Sequence, residues 1–180
     1  RQYKYLGVQM TDQLDWDEQW HAIQAKSNSV LFLIKTMKRL QFKTGILVSV
    51  YKSFILSHVI TNSNILCSVS QSALSEMESM QARALKIIGI NSAEDRQAHG
   101  VSSIEKLIDK HCTLTLTTIL NDPHHPITQG LVRKDHFGAT RNKFPFRLDK
   151  CATQKYQKTY VPRYARIIEN LSKSKTLVAI

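Results

Sequence analysis

The chain has 180 residues, 42% of them hydrophobic, with 25 Lys or Arg against 14 Asp or Glu and a formal net charge of +11. That length suffices for one core, or for a core with an appendage. No apolar run reaches the roughly 20 residues of a membrane span, the longest being Val30–Ile34 and Ile46–Val48, so no membrane partner is expected. The opening Tyr3-Lys4-Tyr5-Leu6-Gly7 reads as structure, not as a signal peptide, and Arg1 in place of an initiator methionine suggests a longer reading frame. Cys67, Cys112 and Cys151 are widely spaced and never form a CxxC. An intracellular location, nucleus or cytoplasm, is therefore expected over secretion.

Tyr3 to Met10 alternates bulky and polar residues, as a short strand or hairpin does. Gly7 is expected at a bulge or a close backbone approach. After a turn at Thr11-Asp12-Gln13, Asp15 or Asp17 is expected to cap a helix from about Asp17 to Leu40, with Asp17 and Glu18 in its first turn. Trp20, Ile23, Val30, Ile34 and Met37 form its apolar stripe, Ser27 fills a gap, and Leu31, Phe32 and Leu33 widen it. A second helix, Thr44 to about Leu66, places Leu47, Val50, Tyr51, Phe54 and Ile55 on one face. Around Thr61-Asn62-Ser63-Asn64 it becomes polar and either frays or meets a neighbour.

The third helix starts at a Ser70 or Ser72 cap, carries Leu74, Met77, Gln81, Ala84, Leu85 and Ile88, and stops at Gly89. Asn91 to Gly100 reads as a polar connector. Ser102-Ser103-Ile104-Glu105 matches a capping box that opens a fourth helix running to about Leu120. Strand character competes at Thr113–Thr118, where every second residue is β-branched. Pro123 and Pro126 break the chain. Beyond them lies a basic, loop-rich stretch, with one short helix expected from Arg163 to about Leu171. The expected fold is mainly α: a strand or hairpin and a bundle of about four helices over residues 1–120, then a loop-rich basic region over 121–180.

Charge is uneven along the chain. From Leu131 onward 12 basic side chains face three acidic ones, a balance of +9, whereas residues 1–130 hold 13 basic and 11 acidic, only +2. Such asymmetry fits either a polyanionic partner or a solvated basic tail. Phe137, Phe144, Phe146, Tyr156, Tyr160 and Tyr164 are interleaved with the basic residues, so they can stack on bases or dock the segment on a core. Lys35, Lys38, Arg39 and Lys43 can meet a nucleic-acid backbone or simply suit a helix C-terminus.

Signatures of catalysis are missing. His111-Cys112, His124-His125 and Cys151 lack metal-ligand spacing, the six glycines form no phosphate loop, and no cysteine sits in a nucleophile motif. Asp15/Asp17 and Glu94/Asp95 read as helix-start charges and connector. No catalytic residue, metal site or cofactor is expected in this chain.

Tyr3-Lys4-Tyr5-Leu6-Gly7-Val8, then Leu14-Asp15-Trp16 and Trp20-His21-Ile23, resembles the passage just after the palm of non-LTR (LINE-type, jockey-like) retrotransposon reverse transcriptases. Tyr51-Lys52-Ser53-Phe54-Ile55-Leu56-Ser57-His58-Val59 is similar to a helix of that family, with Ser57 where proline is usual. Gln81-Ala82-Arg83-Ala84-Leu85-Lys86-Ile87-Ile88 and the tail from Arg141-Asn142 through Pro145, Arg147 and Tyr160-Val161-Pro162 also resemble family segments. The resemblance implies an RNA-directed DNA polymerase whose two magnesium ions sit on palm aspartates that precede the Tyr-Leu-Gly strand. No [F/Y]-x-Asp-Asp occurs in this chain. It implies a primer-grip-like element at Tyr5, Leu6 and Gly7, a helical thumb, and a template–primer duplex or RNA as partner, beside the missing palm. Candidate nucleic-acid contacts are Lys35, Lys38, Arg39, Lys43, Arg133, Lys134, Arg141, Lys143, Arg147, Lys155, Lys158 and Arg163. The competing expectation is a stand-alone helical interaction module whose basic tail binds a protein or an anionic surface.

Overall fold

A computed structural model describes residues 2–5, 7–12, 16–131, 145–148 and 150–173. The chain divides into two compact units, Arg1–Ile108 and Asp109–Ile180. The first opens with an antiparallel hairpin, β1 (Gln2–Tyr5) and β2 (Val8–Thr11), paired from Gln2↔Thr11 to Tyr5↔Val8. That register leaves a two-residue loop, and Gly7 lies in it at φ +87°. The expected bulge is thus a turn: tight hairpin loops need positive φ, which glycine supplies without a Cβ clash.

Helix α1 (Asp17–Arg39) buries Trp20, Ile23, Ser27, Leu31 and Ile34. Its N-cap is Trp16, with no side-chain hydrogen bond, not the expected Asp15 or Asp17. The Asp17 carboxylate instead accepts the Ser70 amide at 2.9 Å. Of the residues expected to widen the stripe only Leu31 is buried; Phe32 and Leu33 are exposed.

The second predicted helix is four consecutive pieces: α2 (Thr44–Tyr51), a π-helical turn (Lys52–Leu56), α3 (Ser57–Thr61) and α4 (Ser63–Leu66). An unbroken α-helix would place Phe54 within about 20° of Leu47, on the core face. The wider π turn rotates it off that face, and Phe54 is 55% exposed. The same turn returns Ile55, Leu56 and Val59 to the core beside Leu47, Val48 and Tyr51. Asn62 meets a neighbour, as the polar stretch allowed: its carboxamide oxygen accepts from Gln19 Nε2 at 2.9 Å.

Helix α5 (Gln71–Ile88) has the ends read from sequence. Ser70 Oγ accepts the Ala73 amide at 3.1 Å, and Gly89 closes the helix at φ +100°. Buried Gln81 donates through Nε2 to the Tyr51 hydroxyl and to the Ser102 carbonyl, each at 3.0 Å. Burial pushes the Tyr51 phenol above its ordinary range; the Gln81 bond opposes this, nearby Glu78 adds to it, and Arg96 opposes it.

Two local expectations fail. Residues 91–100 are not a bare connector: Ser92 Oγ accepts the Asp95 amide at 3.0 Å and caps α6 (Ala93–Ala98), whose first turn holds Glu94 and Asp95. The capping box is also displaced. Helix α7 (Ile104–Asn121) takes Ser103 Oγ at 3.5 Å from the Lys106 amide, and the carboxylate at its start is Glu78, 3.1 Å from the Glu105 amide. Pairing with α5 supplies what the local motif was expected to supply.

In the second unit Thr113–Thr118 is helical, with Thr113, Thr117 and Thr118 hydroxyls donating to carbonyls four residues back. The division between units falls inside α7, upstream of the expected boundary at residue 120. His125 and Pro126 start a short α8 (Pro126–Gln129). Then come α9 (Gln154–Lys158) and α10 (Tyr160–Lys173). The last helix begins earlier than the expected Arg163, because Pro162 lies in its first turn, where no backbone donor is required.

Candidate nucleic-acid interface

The Gln19-to-Ser75 stretch, which spans α1 to α4 and enters α5, contains six basic residues (Lys26, Lys35, Lys38, Arg39, Lys43 and Lys52) and no Asp or Glu. The flanking acids are Glu18 and Glu76. Averaging over residues 1–130 hid this, since acids cluster on either side. Because α1 turns its buried line inward at Ile23, Ser27, Leu31 and Ile34, Phe32 and Arg39 point away from the core and Lys35 lies on the flank one turn beyond Leu31, all three exposed. Lys43 is exposed at the N-cap of α2. A cation there opposes the helix dipole, and the position favours Ser, Thr, Asp or Asn. Stability alone gives no reason for Lys43.

The four expected helical contacts separate. Lys35, Arg39 and Lys43 project from the outer surface, whereas Lys38 Nζ donates to the Ile88 carbonyl at 2.9 Å and closes the end of α5. A Cβ on Gly89 would lie 3.3 Å from that amine, so glycine there serves both the left-handed backbone and the approach of Lys38. Lys52, absent from the expected contacts, is similarly engaged with the His99 carbonyl at 2.6 Å.

The hairpin is held by a polar relay. The Gln9 amide donates to Gln19 Oε1 at 2.8 Å, Gln19 Nε2 reaches Asn62, and Asn62 Nδ2 donates to the His58 carbonyl at 2.8 Å. Gln19 is 4% exposed, and its loss would leave buried polar groups unsatisfied. Tyr5 is 67% exposed and Gly7 is exposed beside it, so the hairpin tip presents an aromatic ring from a tethered mount. Leu6 lies outside the described residues.

Of the expected C-terminal contacts, Arg133, Lys134, Arg141 and Lys143 lie outside the described residues, as does the side chain of Lys155. Arg147 and Lys158 are exposed. Arg163 is engaged within its own unit: its guanidinium bonds Asp109 Oδ1 at 3.0 Å and lies 5.3 Å from the Tyr164 ring centroid. Tyr164 donates to the same carboxylate oxygen at 2.6 Å and is fully buried, as Phe146 nearly is. Both rings pack within the core, and neither is available to stack on a base.

Among the described residues no three His, Cys, Asp or Glu converge to hold a metal ion. Thr44–Thr61 is long and apolar enough by composition to cross a membrane, against the sequence expectation, and a third of it is buried in the helical unit. No family model, curated protein or solved structure matches the chain.

Proposed function

We propose that this chain is a non-catalytic, thumb-like part of an RNA-directed DNA polymerase of the non-LTR retrotransposon type, and that it binds the backbone of a template–primer duplex. The carboxylate-free run from Gln19 to Ser75, with Lys35, Arg39 and Lys43 on its outer surface, is the observation that carries this reading. A surface that tracks phosphates needs cations spaced along rigid elements and no competing anion, and it needs no base-reading geometry. The tethered hairpin bearing Tyr5 and Gly7 fits the primer-grip-like role, and exposed Arg147 and Lys158 would add to the attraction in the second unit.

The test is equilibrium binding of the full chain to a labelled RNA·DNA duplex across a salt series. Binding should be independent of sequence and should weaken steeply with salt, log affinity falling by about 0.7–0.9 per log unit of salt for each phosphate neutralised. Affinity that stays flat between low and physiological salt would refute the reading.

A further inference from the structure

Side-chain bonds fix what flanks α1 on either side. Trp20 Nε1 bonds Glu76 and Lys38 Nζ bonds the Ile88 carbonyl, so α5 lies along one flank. Gln19 bonds Asn62, so the chain from α2 to α4 lies along the other. Gln19, Lys26, Leu33 and Leu40 recur at every seventh position and so run in one line along that second flank. Just after α2, Lys52 at the start of the π turn faces His99. Lys43, Ile46 and Val50, at three- and four-residue spacing, lie on the other side, and the π turn brings Phe54 outward after them.

The outer seam between α1 and α2 is therefore lined by Leu33 (48% exposed), Leu40 (67%), Phe42 (42%), Ile46 (45%) and Phe54 (55%). Half of the ten large exposed hydrophobic side chains among the described residues fall on this one seam. Contiguous apolar surface of this kind is uncommon on a monomer unless something covers it. Gly45, Ser49, Ser53 and Ser57 run beside it at four-residue spacing. Ser49 Oγ donates to the Gly45 carbonyl at 3.0 Å and Ser57 Oγ to the Ser53 carbonyl, so these hydroxyls are occupied and the stripe is low.

We propose that this seam docks an amphipathic helix with acidic flanks, contributed by a partner protein. The apolar line fits the hydrophobic stripe of such a helix, and the low serine stripe lets its backbone approach closely. Lys26 and Lys43 stand at the edges with no carboxylate of their own segment to answer them, which selects an acidic occupant. A second copy of this chain would bring cations against cations. Nucleic acid is a poorer match, since three of the five lining side chains, Leu33, Leu40 and Ile46, have no ring to stack on a base. The inference does not depend on duplex binding, which is assigned to Lys35, Arg39 and Lys43; of these only Lys43 also borders the seam.

The probe is a labelled synthetic helical peptide with leucine along one face and glutamate on both flanks, titrated against the full chain by fluorescence anisotropy. Saturable binding is expected. It should be lost for a scrambled peptide of the same composition and for one with lysine in place of glutamate. The double variant Leu33→Ser/Ile46→Ser changes two exposed positions, so the fold, checked by circular dichroism, should persist while peptide affinity falls at least about tenfold. Its affinity for the RNA·DNA duplex should not change. Equal binding of the scrambled peptide, or unchanged affinity in the double variant, would overturn the proposal. So would capture of the chain by anionic lipid vesicles but not by the peptide, which would make the occupant a membrane. Loss of duplex binding in the double variant without any peptide binding would assign the seam to nucleic acid and overturn it equally.

Discussion

The two sides of the N-terminal unit share a core but differ in what they present to solvent. From Gln19 to Ser75 the chain shows only cations, whereas Glu76 to Ile108 mixes five acids (Glu76, Glu78, Glu94, Asp95, Glu105) with four basic residues (Arg83, Lys86, Arg96, Lys106). Packing asks the same of both: Trp20 and Leu47 on one side are as fully buried as Met77 and Ile88 on the other. Core demand therefore cannot explain the sorting of charge. Two of these acids have structural work, Glu76 accepting from Trp20 Nε1 at 3.1 Å and Glu78 serving the start of α7. On the cationic side Lys38 and Lys52 have comparable backbone partners, whereas Lys35, Arg39 and Lys43 are exposed.

If the two sides are one cooperative unit, the largest effect should come from Trp20→Ala. The indole is fully buried and bonded to α5 through Glu76. Its truncation should cost about 3–5 kcal/mol in denaturant unfolding, and both sides should be lost in a single transition. Two resolved transitions would split the unit and undo the comparison.

Charge reversal separates the sides functionally. Lys35→Glu/Arg39→Glu/Lys43→Glu should weaken duplex binding by about 100-fold at low salt. Arg83→Glu/Lys86→Glu/Lys106→Glu, equal in charge change and also exposed, should weaken it by less than about fivefold. Equal losses would mean that net charge, and not the sorted face, governs binding.

Lys38→Met sharpens the division within the cationic side. It should cost about 1 kcal/mol of stability, because the Ile88 carbonyl loses its charged partner, and leave duplex affinity nearly unchanged. A binding loss with no change in stability would return Lys38 to the interface.

The smallest effect is the pH response of Tyr51. Its phenol is pushed up in the fold, so the stabilisation from its neutral form is complete below the unfolded value near pH 10 and declines as pH rises beyond it. Tyr51→Phe should flatten part of the stability loss above about pH 10 while costing about 1 kcal/mol at neutral pH through the lost Gln81 bond. A wild-type slope retained in the variant would show that other groups dominate alkaline unfolding.

The sequence was most readable where structure is set locally. Ser70 and Gly89 bound α5 because a hydroxyl and a left-handed glycine act within one turn, and the Trp20–Ile34 stripe follows from helical spacing alone. Phe54 was misplaced because a π turn changes the angular step, and no residue in Lys52–Leu56 announces one. The start of α7 was misread because Glu78, distant in sequence, does the work expected of Glu105. Ser92 before Glu94 and Asp95 was a local cap signal that a polar composition obscured. At the candidate interface the cations were visible, but their engagement was not: Lys38, Lys52 and Arg163 are told apart from Lys35, Arg39 and Lys43 only by tertiary partners. The absence of carboxylates from Gln19 to Ser75 was legible throughout and was lost by averaging the charge over a longer window.

The central claim is that the sorted face of α1 and α2 binds nucleic-acid backbone through Lys35, Arg39 and Lys43. Its most direct test is the salt dependence of RNA·DNA duplex affinity for the full chain beside Lys35→Glu/Arg39→Glu/Lys43→Glu. The expected result is a steep slope that becomes shallower by about 2–3 in the variant, one increment for each phosphate contact removed. Parallel slopes for the two proteins would contradict the claim and leave the face without a nucleic-acid role.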